Sequence, residues 1–510
     1  MMPISRCLHR SARLAVVVPV LLGACRAPFE PDNGTFIPPG TITPSIPFRI
    51  GSSGPDFARA VVTDGSGNVF VASYFAGLVN FDPTSAIASG RVAIGPSDVA
   101  VAKYSSTGAF AWVYSIGGSD SDTPFDIKLG SSNGIYVAGA VSAGAVCSGR
   151  VVLNAGGHDI LLMRLNSAGT CDWALGIGSS GEDQAQAMLV EPSGDVVLTG
   201  FFTGTVDFDP GPGTAVLISR GGRDGFVARY GADGTFKSVV QFGGVEDDTG
   251  NAIARTIEGD LIIGGEFRVI ATFGSALAPV LLTSAGDTDF FVTRLSPQLG
   301  TQWAIRGGGT GFDAVGLHSV RVDDLGRILV AGAFAGVADV DPSGGAILLT
   351  SLGSGDVFLV RYDGTGAWAG LARAIGGTGS ESVDHMILDA SGNLYLAGWF
   401  QNSVDFDPTP GTHVVVAKGG QGAGGSYVLS LNSAGEYRWV DPIGSVIAGE
   451  SNLGIPSGLA LQSDGSLWAV GRFFGRVTFD PTNPTVQSQS LGDADQYVVR
   501  FDAATGALRQ

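Results

Sequence analysis

Short apolar runs separated by glycine and aspartate turns recur along residues 48–510, and none of that region carries a helical period of apolar positions. Runs of this length between turn residues predict sheet strands. One phrase returns seven times. A strand ending near Ile-Gly is followed by an acid, a strand, a glycine turn, a strand closing on an apolar-Ala-Gly-like triplet, a long connection, and an Asp before another strand. The triplets are Val71-Ala72-Ser73, Val137-Ala138-Gly139, Leu198-Thr199-Gly200, Ile263-Gly264-Gly265, Val330-Ala331-Gly332, Leu396-Ala397-Gly398 and Ala469-Val470-Gly471. A period of about 66 residues is too regular for separate domains and predicts a repeat architecture.

In the third unit four strands are predicted, at 185–190, 196–202, 225–230 and 235–242, with turns at Pro192-Ser193-Gly194-Asp195 and Gly231-Ala232-Asp233-Gly234. Gly and Asp supply the backbone angles that such hairpins need. Four-stranded antiparallel units repeated radially predict an all-β fold, a seven-bladed β-propeller. Six units carry their own fourth strand, but the seventh stops at Gly506-Ala507-Leu508-Arg509-Gln510. The missing piece, Phe48-Arg49-Ile50-Gly51, stands alone before the first unit, so the N-terminal strand is expected to complete the last blade.

The phrases Trp173 to Ile177-Gly178, Asp207-Phe208-Asp209-Pro210 and Asp224-Gly225-Phe226-Val227 resemble the bacterial SBBP β-propeller repeat, over residues 48–510. The resemblance implies an exported surface protein and implies no activity. Unit two departs from it by lacking the Phe-Asp-Pro phrase, unit four by Phe273-Gly274 at that place, and unit six by Ser426 in place of the third-strand Asp.

The first residues read as an address. Arg6, Arg10 and Arg13 precede an apolar run at 14–22, which is too short to span a bilayer. The run ends in Leu22-Gly23-Ala24-Cys25, which resembles a bacterial lipobox; an ordinary signal with an incidental Cys is the alternative. Residues 1–24 are therefore expected to be a lipoprotein-type signal peptide, and residues 25–47 a lipidated Cys25 with a Pro-rich tether. The expected location is the outer membrane or cell surface, with membrane contact through the anchor at Cys25 only.

Composition narrows the function classes. Glycine, at 79 of 510 residues, follows no G-X-Y period, which excludes collagen, and 44% hydrophobic residues suffice for a core. A formal charge of −18 repels phosphate backbones, so no nucleic-acid partner is expected.

Candidate chemistry is mainly acidic. Five residues past the Gly that ends each fourth strand come Asp56, Asp122, Asp183, Asp248, Asp313 and Glu381, and Glu450 follows Gly444 by six. These are the candidate binding-face acids; the plainer reading is that each Asp fixes a turn, copied with the repeat. The long connections between second and third strands carry Asp82, Asp209, Asp341, Asp407 and Asp480, each before a Pro, with partners Asp207, Asp339 and Asp405. The Asp207–Asp209, Asp339–Asp341 and Asp405–Asp407 pairs are the candidate calcium ligands, all-oxygen sets being what calcium prefers. No other cofactor is expected. His158, His318, His385 and His413 fall at unrelated points of the repeat, so zinc has no support. No nucleophile elbow or phosphate loop occurs. Trp112, Trp173, Trp303 and Trp439 read as packing between blades. Cys147 and Cys171 form a candidate disulfide, with the doubt that they sit at different ends of their unit.

No catalytic set converges in the sequence. The expected function is a non-enzymatic, monomeric binding scaffold for a protein or glycan. The alternative is a carbohydrate-active enzyme, a lyase or glycosidase using paired carboxylates on the acidic face.

Overall fold

The computed structural model describes residues 46–509 except 85–88, 131–132, 418–423, 446–453 and 484. Residues 1–24, Cys25, nearly all of the tether and Glu450 lie outside the described residues. Among those described the chain is all-β, with no helix.

The described strands group into seven antiparallel four-stranded units in chain order. Unit three comprises Gln184–Val190, Val196–Phe202, Asp224–Tyr230 and Phe236–Phe242, each within a residue of its predicted bounds. The first strands of the others are Phe57–Thr63, Thr123–Leu129, Thr249–Arg255, Asp313–Val322, His385–Leu388 and Gly454–Leu461. The isolated strand Phe48–Ile50 pairs with the third strand of unit seven, Gln487–Asp502, in the register Phe48↔Val498 and Ile50↔Gln496.

Both faces of the inner strands are covered. Val196–Phe202 is buried at every position, which explains its unbroken apolar run where a one-faced strand would alternate. The core is divided into clusters shared between consecutive units. One joins units one and two, another units two and three, and so on to units six and seven. A further cluster joins the last unit to the first: Phe48, Ile50, Trp468 and Val498 pack with Val71, Phe75 and Tyr104. There Ser457 Oγ also donates to Ala58 O at 2.5 Å, and Thr63 Oγ1 to Leu461 O at 3.1 Å.

The fourth-strand tryptophans lie in these shared clusters. Each is covered by a turn glycine of the next unit. Gly169, at φ 79°, would place a Cβ 2.5 Å from the Trp112 ring, so only glycine fits there.

The long connections fold back as small hairpins, such as Thr205–Asp207 with Val216–Ile218. The phenylalanine of the Phe-Asp-Pro phrase is their anchor: Phe81, Phe208, Phe406 and Phe479 are fully buried. The Tyr104 and Tyr230 hydroxyls donate to the Phe81 and Phe208 carbonyls at 2.9 Å. Unit two lacks this phrase. Cys147 stands there eight residues past Gly139, as Phe208 stands eight past Gly200. Its sulfur is bonded to Cys171, with the Cα atoms 5.7 Å apart. Cys171 occupies the place of Phe236 in unit three, at the start of the fourth strand. The small hairpin brings Cys147 back to the start of the fourth strand, which strand order alone does not reveal.

Candidate functional site

The repeated acids of the inter-unit links are fully or nearly fully buried and hold backbone. Asp183 accepts from Ser179 N at 2.6 Å and Thr203 N at 2.7 Å. Asp56 accepts from Ser52 N and Ala76 N, Asp122 from Gly118 N and Ser142 N, and Asp248 from Gly244 N and Arg268 N. Asp313 and Glu381 bind Gly309 N and Gly377 N in the same way. Each carboxylate ties a link to the end of the following second strand. Six of them lie near the third-strand Asp of the preceding unit; an added Cβ on Gly178 would stand 2.6 Å from Asp159 and 2.8 Å from Asp183. Burial, aided by the neighbouring acid, pushes Asp56, Asp159, Asp248 and Glu381 up to about 7 and Asp313 to about 6. Asp183→Ala leaves two backbone N–H groups without acceptors, and an expected loss of about 2 kcal/mol follows. Equilibrium urea unfolding measures it.

The Asp-x-Asp-Pro acids close local turns. Asp207 Oδ1 accepts from Asp209 N and Ala215 N, Asp339 Oδ1 from Asp341 N and Ile347 N, and Asp405 Oδ1 from Asp407 N and His413 N. Asp209 and Asp407 accept from Gly211 N and Thr409 N, and Asp341 from Ser343 N and Oγ. A calcium ion would compete with backbone for the same oxygens. Among the described residues no three His, Cys, Asp or Glu side chains converge as a metal set. Millimolar calcium is therefore expected to leave the melting temperature nearly unchanged.

The residues that converge from different units are others. Each first strand packs against the first strand of the next unit, and the last against the first, around an axis. Met188 N donates to Asp126 Oδ2 at 2.9 Å, Asn251 Nδ2 to Val315 O at 3.0 Å, and His318 Nε2 to Phe125 O at 3.0 Å. Between first and second strands the register slips by one residue in units one, two, three, four and seven. Such a bulge leaves one extra residue unpaired and re-aims it. The bulged residues are Arg59, Phe125, Gln186, Asn251 and Ser457, with Asp384 at the same repeat position in unit six. Unit five has a larger slip, between Val315 and Val320, and projects His318 at φ 52°. Structural residues are copied from unit to unit, whereas these axial positions differ each time.

The sequence carried a sign of this. The link acid precedes the third residue of the triplet by 17 positions in units one, two, three, four and six, but by 19 in unit five. The two extra residues are those that bring His318 to the axis. Its ring lies 5.3 Å from that of His385, and its Nδ1 lies 3.6 Å from Asp126 Oδ2. Burial holds His318 down to about 4 and His385 well below the ordinary range, so both are neutral at pH 7. Burial pushes Asp126 up, but the Lys128 ammonium at 2.5 Å and the Met188 backbone N–H outweigh it and keep the carboxylate ionised. His158 and His413 lie elsewhere, against Glu182 and Tyr437.

Beside His318 lies a pocket of about 200 Å³, lined by Phe57, Arg59 and Phe125 of the first strands. Arg59 and Arg472 reach into it from units one and seven, with Asp384 and Trp399 from unit six and His318 from unit five. Both guanidinium groups stand over the Phe57 ring, at 5.0 and 4.4 Å, and Arg59 also over Phe125 at 4.7 Å. Neither makes a hydrogen bond or ion pair among the described residues, and the buried Nε of each has no partner. Asp384, the carboxylate facing them, acts only through space; burial raises it to about 6 against the pull of both arginines. With His318 neutral, the pocket carries a net charge of about +1 at pH 7, arginine being always protonated.

No family model matches the chain. It is 24% identical over 443 residues to the regulatory protein FlaEY of Caulobacter vibrioides (strain ATCC 19089 / CIP 103742 / CB 15), covering 81% of this chain and 43% of that one. The chain thus spans less than half the length of this curated relative. Among solved structures, an ulvan lyase of polysaccharide lyase family PL25 is 10% identical, with a TM-score of 0.45 over 91% of this chain and 98% of that one. The Neurospora crassa Pan2 WD40 domain is 10% identical, with a TM-score of 0.31 over 67% and 86%. A protein of unknown function from Dyadobacter fermentans DSM 18053 is 11% identical, with a TM-score of 0.36 over 89% and 98%. At these TM-scores nothing is carried across to this chain.

Proposed function

We propose that the chain is a closed seven-bladed β-propeller of the SBBP type, exported, anchored through Cys25, and working as a monomeric, non-enzymatic scaffold that binds a glycan at its axial pocket. Three observations support the architecture: the seven four-stranded units, the cluster shared by the last and first of them, and the repeat phrases that resemble SBBP. The lipobox-like end of the signal supports the anchor. Cys25→Ser is expected to release the protein from the membrane fraction while leaving it exported; a wild type that is already soluble overturns the anchoring.

One observation carries the binding role. The carboxylates copied through the repeat are spent on backbone, whereas the position that varies from unit to unit supplies Arg59, Phe125, His318, Asp384 and Ser457 to the lining of the pocket. A pocket small enough to take one group at a time favours a glycan over a protein surface. A glycosidase needs two carboxylates flanking the bond to be cut, and this pocket is lined by one, Asp384. His318 could serve a lyase as base, but its Nε2 is engaged by the Phe125 carbonyl. Incubation with a panel of neutral and acidic polysaccharides tests the reading. Retardation in affinity gels with no new reducing ends and no unsaturated product is the expected result; release of either product overturns it.

A further inference from the structure

The axial pocket also specifies what it binds. Two arginines in contact with one phenylalanine ring, neither with a side-chain hydrogen bond and each within electrostatic reach of the other, are an unbalanced arrangement. Like charges at this distance repel, and buried donors without acceptors are costly. An anion between them removes both costs, and the planar fork of arginine matches a carboxylate. The anion is not a bare one. Asp384 faces the same space and would repel a sulfate or phosphate, whereas a hydroxyl donor satisfies it. The walls are Phe57, Phe125 and Trp399, which suit the apolar face of a ring. A volume of about 200 Å³ equals about seven waters, at about 30 Å³ each, enough for one ring and not for an oligomer.

We propose, on the basis of the glycan-binding reading above, that this pocket binds a single sugar-acid residue. Its carboxylate lies between Arg59 and Arg472, its hydroxyls donate to Asp384, and its ring lies against the aromatic walls. The ligand is either a free sugar acid or the exposed end of an acidic glycan, which share this chemistry.

Isothermal titration of the folded chain with glucuronate and galacturonate tests the assignment, with glucose, acetate and sulfate as controls. A oligosaccharide ending in a uronate serves as a further arm. At least one sugar acid is expected to bind at least about tenfold more tightly than every control. Arg59→Gln and Arg472→Gln should each weaken that binding about tenfold or more, with melting temperatures little changed, because neither guanidinium holds another residue by a hydrogen bond or ion pair. Asp384→Asn should weaken the sugar acid but not acetate. Tighter binding of the oligosaccharide than of the free acid identifies the glycan end as the ligand, and equal or weaker binding identifies the free acid. Absence of sugar-acid binding at millimolar concentration, sulfate binding as tightly, or arginine variants that bind like wild type overturns the proposal. If polysaccharides still bind in those cases and the arginine variants do not affect them, the scaffold reading stands and only the pocket assignment falls.

Discussion

Deletion of residues 46–51 is expected to abolish stable folding. Ile46, Phe48 and Ile50 are 2%, 6% and 1% exposed and belong to the cluster joining the last unit to the first. Burying each contributes about 1.5–3 kcal/mol, so the segment accounts for about 5–9 kcal/mol, against a total stability of about 5–15 kcal/mol for ordinary proteins. Its removal also leaves the third strand of unit seven with an unpaired edge, a template for aggregation. Phe48→Ala should cost about 3–5 kcal/mol by itself. Chemical unfolding of both variants decides the matter, and a deletion variant with a wild-type midpoint would show that the strand is dispensable.

Acidification from pH 8 to pH 6 should stabilise the protein. Asp56, Asp159, Asp248 and Glu381 are raised from the ordinary carboxylate range to about 7, with burial as the main cause. The native state therefore holds protons that the unfolded chain has released above about pH 4–5. The stability contributed by these groups is complete below their unfolded values and is lost as the pH rises through 7. Each proton held by the native state alone is worth about 1.4 kcal/mol per pH unit. Four groups, halved for residual solvent screening, give about 3 kcal/mol between pH 8 and 6. Below about 6.5 the neutral, buried His318 and His385 act in the opposite sense, so the gain should level off toward pH 5. Melting curves across this range test the sign. A melting temperature that is flat or falling from pH 8 to 6 would mean that the carboxylate pairs are ionised in the native state.

Much of the strand pattern was legible because both faces of each inner strand are buried and the turns between strands need glycine or aspartate. The strands of unit three end within a residue of where its Pro-Ser-Gly-Asp and Gly-Ala-Asp-Gly turns put them. The three-residue strands of the small hairpins were not legible, since a run such as Leu78–Asn80 is too short to show alternation. The repeat draws attention to what it copies, and the copied acids proved to be ties to backbone. Arg59, Phe125, Gln186, Asn251, Asp384 and Ser457 share one position in the repeat, but nothing in their chemistry marks them as a set; only the bulge at that position does. Arg472 belongs to a second strand and joins Arg59 only because the last unit packs on the first.

The buried His318, His385 and Asp126 separate the arginine pocket from a wider cleft of about 740 Å³ at the opposite ends of the first strands, lined by Arg321, Ile387 and Leu461. The pocket is therefore blind-ended. If a glycan end is the ligand, as proposed, the polymer cannot be threaded through and worked along its length; it would enter by its end and leave by the same mouth. Occupancy would then follow the number of free chain ends rather than total polymer mass, so that trimming a glycan into shorter pieces would create sites for this protein and capping its ends would remove them.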